Sequence, residues 1–181
     1  KAVEAQGAFV SPFVSPLDTD CYEPIDKWLM IRGYAEWKNL PEHEDHEFLH
    51  YVRDWCQPAK DMGALEAWAI LGEITRMRAK LYDAFADYDY VLAPTLPVVN
   101  FPAEEPGMFS DKPLAHTVFT AMFNQTGQPA SSVNFAFDER HLPIGVQVVG
   151  HRCDDLGVLQ ITKALEDLRG IEMDWPTVPR D

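Results

Sequence analysis

The sequence predicts an α/β fold, and three observations carry that prediction. Apolar residues recur at three- and four-residue steps through Leu65, Trp68, Leu71, Ile74, Leu81 and Phe85, the stripe of a helix that faces a core. Residues 132–137 alternate, with Val133, Phe135 and Phe137 on one face and Ser132, Asn134 and Ala136 on the other, as in a half-buried strand. The turn-like stretch Asp138-Glu-Arg-His-Leu-Pro143 then leads into the apolar run 144–149, which completes a hairpin.

The other elements follow in chain order. Residues 7–14 read as a short buried strand whose pairing Pro12 limits. Residues 16–24 form a connection, and Trp28, Leu29, Ile31 and Trp37 place a helix over 25–37, weakened near Gly33. Pro41 opens an acidic, histidine-rich helix that runs to about Cys56, and Pro58 ends it. Residues 90–94 read as a buried strand. The stretch to Pro113 contains Pro97, Pro102 and Pro106 and no period, so an ordered loop bordering a site is expected. Residues 114–123 are expected to be helical, stopping near Gly127. Asp154 or Asp155 caps a last helix with Val158, Leu159, Thr162 and Leu165 inward and Gly170 as its stop. The tail around Trp175 and Pro179 is irregular.

The chain has 181 residues, 46% hydrophobic and 12% aromatic, enough to build a sizeable core. Its formal charge is −14, from 15 basic and 29 acidic side chains. That balance repels phosphates and argues against nucleic acid or an anionic membrane as partner. No apolar run reaches the roughly 18 residues of a membrane span. The first residues, Lys1-Ala-Val-Glu4, contain no Met and no secretory pattern, so the chain is expected to start inside a longer one. Cys21, Cys56 and Cys153 match neither a disulfide framework nor a zinc knuckle. A reducing, cytoplasmic setting is the expectation.

One motif points to metal chemistry. His46-Glu47-Phe48-Leu49-His50 has the spacing by which two helical histidines share a zinc with a glutamate base. On a helix, however, His46, His50, Arg53 and Asp54 share one side. Phe48, Leu49, Val52, Trp55 and Cys56 share roughly the opposite one. The apolar side should meet the core and leave the histidines in solvent, where His43, His46 and His50 can at most bind metal adventitiously. A third ligand would have to come from Glu66 or Glu73, neither of which carries a supporting motif. The reading is therefore no metal site, with a zinc metallohydrolase built on His46, Glu47 and His50 as the alternative.

Nucleophile motifs are equally sparse. No Gly-x-Ser-x-Gly elbow occurs. Ser131 and Ser132 begin a strand without flanking glycines, and Ser110 and Lys112 sit in a loop. His116, His141 and His151 are isolated, and Cys56 and Cys153 have no motif context.

Several segments together resemble the amidase signature family of serine amidohydrolases. Tyr88-Asp-Tyr-Val-Leu-Ala-Pro-Thr95 is similar to its strand ending in a Pro-Thr pair. Asn124-Gln-Thr-Gly-Gln-Pro-Ala130 is similar to its Asn…Gly-x-Pro-Ala segment, and Leu142-Pro-Ile-Gly-Val-Gln-Val-Val-Gly150 to its Leu-Pro-x-Gly-x-Gln-x-x-Gly strand. Residues 155–166 correspond to its final helix, and Trp175 with Pro179 to its tail. The likeness covers most of 62–181, and residues 1–60 match weakly. In physical terms, Gly127 and Pro129 force a helix-to-strand turn. Gly145 inside a strand marks close packing, and Gln147 satisfies buried backbone groups. Asn134 stands where the family usually has Pro, Ala136 where it has Gly and His141 where it has Gly, which leaves the subfamily and substrate open.

The resemblance implies that residues 1–181 are the C-terminal portion of one amidase signature domain. It implies a mixed β-sheet flanked by helices on both faces, to which this chain adds about four strands. The family's nucleophilic serine and its second serine lie in a Gly-Gly-Ser-Ser-Gly-Gly-like stretch, with a lysine base upstream. Neither stretch occurs here, so no catalytic residue is expected in this chain, which alone should be inactive. Thr95, Phe119, Phe123 and Asn124 are the candidates for lining a substrate pocket. The implied activity is hydrolysis of a small carboxamide without cofactor. The implied partner is the missing N-terminal part of the fold, with a homodimer as another way to cover apolar surface. A non-catalytic subunit or assembly module is the further alternative.

Overall fold

A computed structural model describes residues 1–17, 22–41, 43, 46, 49–109 and 112–170. The apolar stripe of the long predicted helix folds as Ala64–Phe85, here α4. The elements in order are α1 (Ala2–Ala5), α2 (Tyr22–Lys38), α3 (His50–Cys56), α4, β1 (Val91–Pro94), α5 (Ala121–Thr126), β2 (Ala130–Phe137), β3 (Pro143–Val149) and α6 (Asp155–Leu168). Among the described residues, no helix is long and apolar enough to cross a membrane.

The three strands form one antiparallel sheet in the order β1-β3-β2. Its central strand alternates between two cores. Val146 and Val148 point with Val133 toward Val158 and Leu165 of α6. Val149 points the other way, into a cluster with Val91, Phe85 at the end of α4 and Phe123 of α5. Helices thus cover both faces of this small sheet. A further core joins α2 to α4 through Ile25, Ile70, Ile74, Met77 and Ala121, with Trp28, Leu29 and Ile31 packed against it. Burying such side chains contributes about 1.5–3 kcal/mol each.

Local signals act as expected at several joints. Asp154 caps α6 by accepting the Gly157 N–H at 3.2 Å and also accepts Tyr90 Oη–H at 2.9 Å. The second contact locks the entry to β1 onto the last helix. Gly127 ends α5 at φ +68°, a left-handed position that costs glycine least. Gly33 does not interrupt α2. It faces α3, where a Cβ would come within ordinary contact, 3.4 Å, of both Cys56 Cβ and Trp55 Cζ3. Asp26 of α2 fixes that contact by accepting hydrogen bonds from Tyr22 Oη at 2.9 Å and Trp55 Nε1 at 3.1 Å.

The structure corrects other expectations. Three strands are described rather than about four, because residues 7–14 make no ladder. Pro12 has no N–H to donate. The segment is held instead by Phe13, edge-on to Tyr88 at 5.5 Å, and by Tyr88 Oη donating to Pro12 O at 3.1 Å. The described sheet is antiparallel throughout rather than mixed. The helix expected from Pro41 begins only at His50. The helix expected over 114–123 splits into a 3-10 turn, Ala115–Thr117, and α5. Thr117 and Thr120 hydroxyls bond back to Leu114 O and Thr117 O at 2.7 and 3.1 Å there, competing with the helical ladder. The stripe of α4 is buried only from Ile70 onward, leaving Leu65 and Trp68 87% and 76% exposed. In α6, Val158 and Leu165 are buried, but Leu159 faces outward. The Trp175–Pro179 tail and Cys21 lie outside the described residues.

A β-bulge refines the hairpin. Val133 pairs with Val146 and Asn134 with Gly145, but Ala136 pairs with Ile144. Phe135 is the extra residue, so Phe137 pairs with Pro143, at the opposite parity to Val133. The expected sharing of one face by Val133 and Phe137 is therefore lost.

Candidate cleft at the sheet edge

Where β1 ends, Thr95 N–H continues the ladder by donating to Gly145 O at 3.1 Å. On the other side of the central strand, Ser132 pairs with Gln147 and Asn134 with Gly145. Thr95 and Ser132 thus flank Gly145 from opposite neighbouring strands, and their hydroxyl oxygens meet 2.6 Å apart. The bridge requires that Gly145 have no side chain. A Cβ there would lie 2.7 Å from Thr95 Oγ1 and 3.2 Å from Ser132 Oγ.

This bridge forms part of the floor of a cleft of about 680 Å³. The loop Leu96, Pro97, Val98 and Val99 supplies one wall, and Phe119 and Ile144 supply apolar surface elsewhere. Phe119 is held by its own backbone: buried Gln147 reaches from β3 and donates Nε2–H to Phe119 O at 3.0 Å. The polar lining side chains are Thr95, Ser132 and Asn134. Arg169 Nη1 donates to Asn134 O at 3.1 Å, tying the bulged strand to the end of α6. Among the described residues, no side chain lining the cleft is ionisable. Ser132 therefore has a hydroxyl neighbour in Thr95 but no lining group that can serve as a proton-accepting base.

The four pocket candidates occupy different places. Thr95 and Phe119 line the cleft. Phe123 is buried at 4% exposure in the cluster beneath the sheet, and Asn124 is exposed on α5; neither is among the lining residues. Ser132, Asn134 and Gly145 join the site without having been singled out for it. Their signal was the polar side of the alternating strand and a glycine inside its partner. Ser131 points to the opposite face, where its hydroxyl bonds with that of Thr162 of α6.

The histidine motif is distributed differently from the helical expectation. His50 starts α3 and His46 precedes it, so the two do not occupy successive turns of one α-helix. Both are exposed, as is His43. Glu47 and Ser110 lie outside the described residues. Elsewhere, hydrogen bonding to the Asp154 carboxylate, with burial second, raises the Tyr90 phenol above the usual range. Burial and the neighbouring Asp26 do the same to Tyr22. Both groups serve packing and lie outside the cleft lining.

A sequence model of the family described as Amidase matches residues 22–159. The chain is 39% identical over 105 residues to a glutamyl-tRNA(Gln) amidotransferase polypeptide of Pseudothermotoga lettingae, covering 54% of this chain and 21% of that protein. Its fold superposes on a crystal structure of an amidase with a TM-score of 0.77 and 24% identity, covering 91% of this chain and 39% of the other. It superposes on a bacterial aryl acylamidase of the amidase signature family with a TM-score of 0.69 and 22% identity, covering 87% and 36%. The chain therefore spans about a fifth of the length of that curated relative and under two fifths of these solved structures.

Proposed function

This chain belongs to the amidase signature family, and on that premise we propose that it is the C-terminal part of an amidohydrolase. The complete enzyme adds water across the carbon–nitrogen bond of a carboxamide, releasing a carboxylate and ammonia or an amine. The chain contributes the sheet-edge cleft, with Thr95 and Phe119 in its lining. The serine nucleophile, the second serine and the lysine base that the family resemblance implies come from the remainder of the fold.

The observation that carries this reading is a family match over 22–159 combined with a cleft that, among the described residues, is lined by hydroxyls and by no ionisable side chain. Nucleophilic acyl transfer needs an activated hydroxyl and donors for the developing oxyanion. Ser132 facing Thr95 supplies neither activation nor a proton acceptor. Exposed Leu65 and Trp68 on α4, with Leu156 and Leu159 on α6, are apolar surface that the remainder of the fold would cover. A homodimer is the competing cover.

The test is ammonia release from a panel of carboxamides. The chain alone should be inactive. Activity should appear when it is joined to, or mixed with, a polypeptide carrying the Gly/Ser-rich stretch and lysine. Turnover by the chain alone that a chelator abolishes would instead move the His46–His50 segment to first place.

A further inference from the structure

We propose that a second groove, between α2, α3 and the loop arm 106–114, binds a zwitterionic α-amino acid with an aromatic side chain. The groove shares no lining residue with the sheet-edge cleft. Leu29, Arg32, Gly33 and Glu36 follow one another at steps of one to three residues within two turns, so α2 presents all four on one face. Val52 and Trp55 of α3 form the facing wall, and Pro106, Pro113 and Leu114 close it from the loop. Both walls are held by contacts of their own. Trp55 Nε1–H donates to Asp26 Oδ1 at 3.1 Å. Gly107 lies so close to Pro113 that a Cβ there would collide with Pro113 O. The groove has a volume of about 390 Å³, room for a bicyclic ring.

Charge and shape together choose the ligand. Arg32 Nη2–H donates to Glu36 Oε1 at 3.3 Å, one turn along the lining face. Both side chains are exposed, so the pair by itself contributes little to stability. What it does is set a positive and a negative group side by side next to an apolar lining. An α-amino acid carries the same two charges on neighbouring groups. Laid antiparallel to the pair, it completes a square of four alternating charges in which every neighbour is opposite. A plain carboxylate on Arg32 would lie against Glu36, and a plain ammonium on Glu36 against Arg32, so repulsion offsets attraction for each. The zwitterion is net neutral, and the formal charge of −14 does not repel it. The rings of Tyr51, Trp55, Pro106 and Pro113 in the lining favour a flat aromatic side chain.

The test is NMR titration of the full, isotopically labelled chain, following the Gly33 and Val52 amides and the Trp55 indole N–H. The probes share one indole body. L-Tryptophan carries both charges, tryptamine only the ammonium and indole-3-propionate only the carboxylate. L-Tryptophan should shift these resonances saturably and bind at least about threefold more tightly than either other probe. Arg32→Gln should weaken L-tryptophan and indole-3-propionate and leave tryptamine no weaker. Glu36→Gln should weaken L-tryptophan and tryptamine and leave indole-3-propionate no weaker. Both positions are exposed on α2, where substitution leaves the fold intact. A singly charged probe binding as tightly as L-tryptophan, a preference unchanged in both variants, or no shifts at the three reporters would each overturn the proposal. Shifts confined to Thr95 and Ser132 would also overturn it, by moving the site to the sheet-edge cleft. Binding here requires no turnover, so ammonia release has no bearing on the result.

Discussion

Thr95 Oγ1 and Ser132 Oγ lie 2.6 Å apart across the face of Gly145, joining the two outer strands over the central one. Gly145→Ala places a Cβ 2.7 Å from Thr95 Oγ1 and 3.1 Å from Thr95 Cβ. Threonine is stiff at χ1, so the strand or the loop behind it must shift. The substitution should cost about 1–3 kcal/mol in urea unfolding. Adding Thr95→Ala should recover part of that loss, giving a non-additive double-mutant cycle. Strict additivity would mean that the two residues do not press on each other.

The hairpin turn contains a residue in a costly conformation. His141 has φ +60°, in the left-handed region where a Cβ costs roughly 1–2 kcal/mol. His141→Gly removes that cost but loosens the unfolded chain. A net gain of up to about 1 kcal/mol is expected, seen as a higher Tm. A lower Tm would show that the imidazole makes a compensating contact.

The same turn gives a pH signature. Asp138 Oδ1 accepts the Leu142 and Arg140 N–H groups at 2.8 Å each, and Oδ2 accepts Arg140 Nε–H at 3.0 Å. The Leu142 bond first, then Arg140, holds this carboxyl below the usual carboxylate range. Its contribution is present above the unfolded-state value, near 4, and is lost as pH falls through the lower folded-state value. Asp138→Asn should destabilise the chain at neutral pH, with a deficit that narrows in acid. A deficit independent of pH would assign the effect to lost shape rather than lost charge.

Asp154 performs two tasks, capping α6 and accepting from Tyr90. Asp154→Ala should cost about 0.5–2 kcal/mol through the cap. It should also bring the Tyr90 phenol back toward its ordinary range, since the largest cause of its upward displacement is this carboxylate. Ultraviolet titration of tyrosinate reads the second effect, which a purely structural loss would not produce.

His46 lies ahead of α3 and His50 at its start, and both are exposed. Replacing both with Ala should change stability by no more than about 0.5 kcal/mol. If the amidohydrolase reading proposed above holds, amide turnover by the joined protein should be the same for the double variant as for the parent, with and without EDTA. A large loss reversed by added zinc would reinstate the metal reading.

Much was legible in the sequence because its signals are local. The core stripe of α4 from Ile74 to Phe85, the hairpin of 132–149, the Asp154 cap and the Gly127 stop each depend on residues a few positions apart. The combined Pro-Thr, Gly-x-Pro-Ala and Leu-Pro-x-Gly segments identified the family, and the matched model agrees. A glutamine inside a strand signals a partner for buried backbone groups, and Gln147 donates to Phe119 O.

The tertiary structure decided what local pattern leaves open. Periodicity names an apolar stripe but not how far its partner reaches, so Leu65, Trp68 and Leu159 read as core and stand exposed. Proline content forbids a ladder without saying what replaces it, and residues 7–14 are held by Tyr88 contacts instead. The cleft is the clearest case. Thr95 and Ser132 are 37 positions apart. They meet only because both outer strands are registered on the same stretch of β3, with the bulge at Phe135 coming after Asn134. Strand register is a property of paired backbones rather than of either segment alone, and that is why the amino-acid sequence identified the family and the elements while only the folded sheet brought together the hydroxyls of the site.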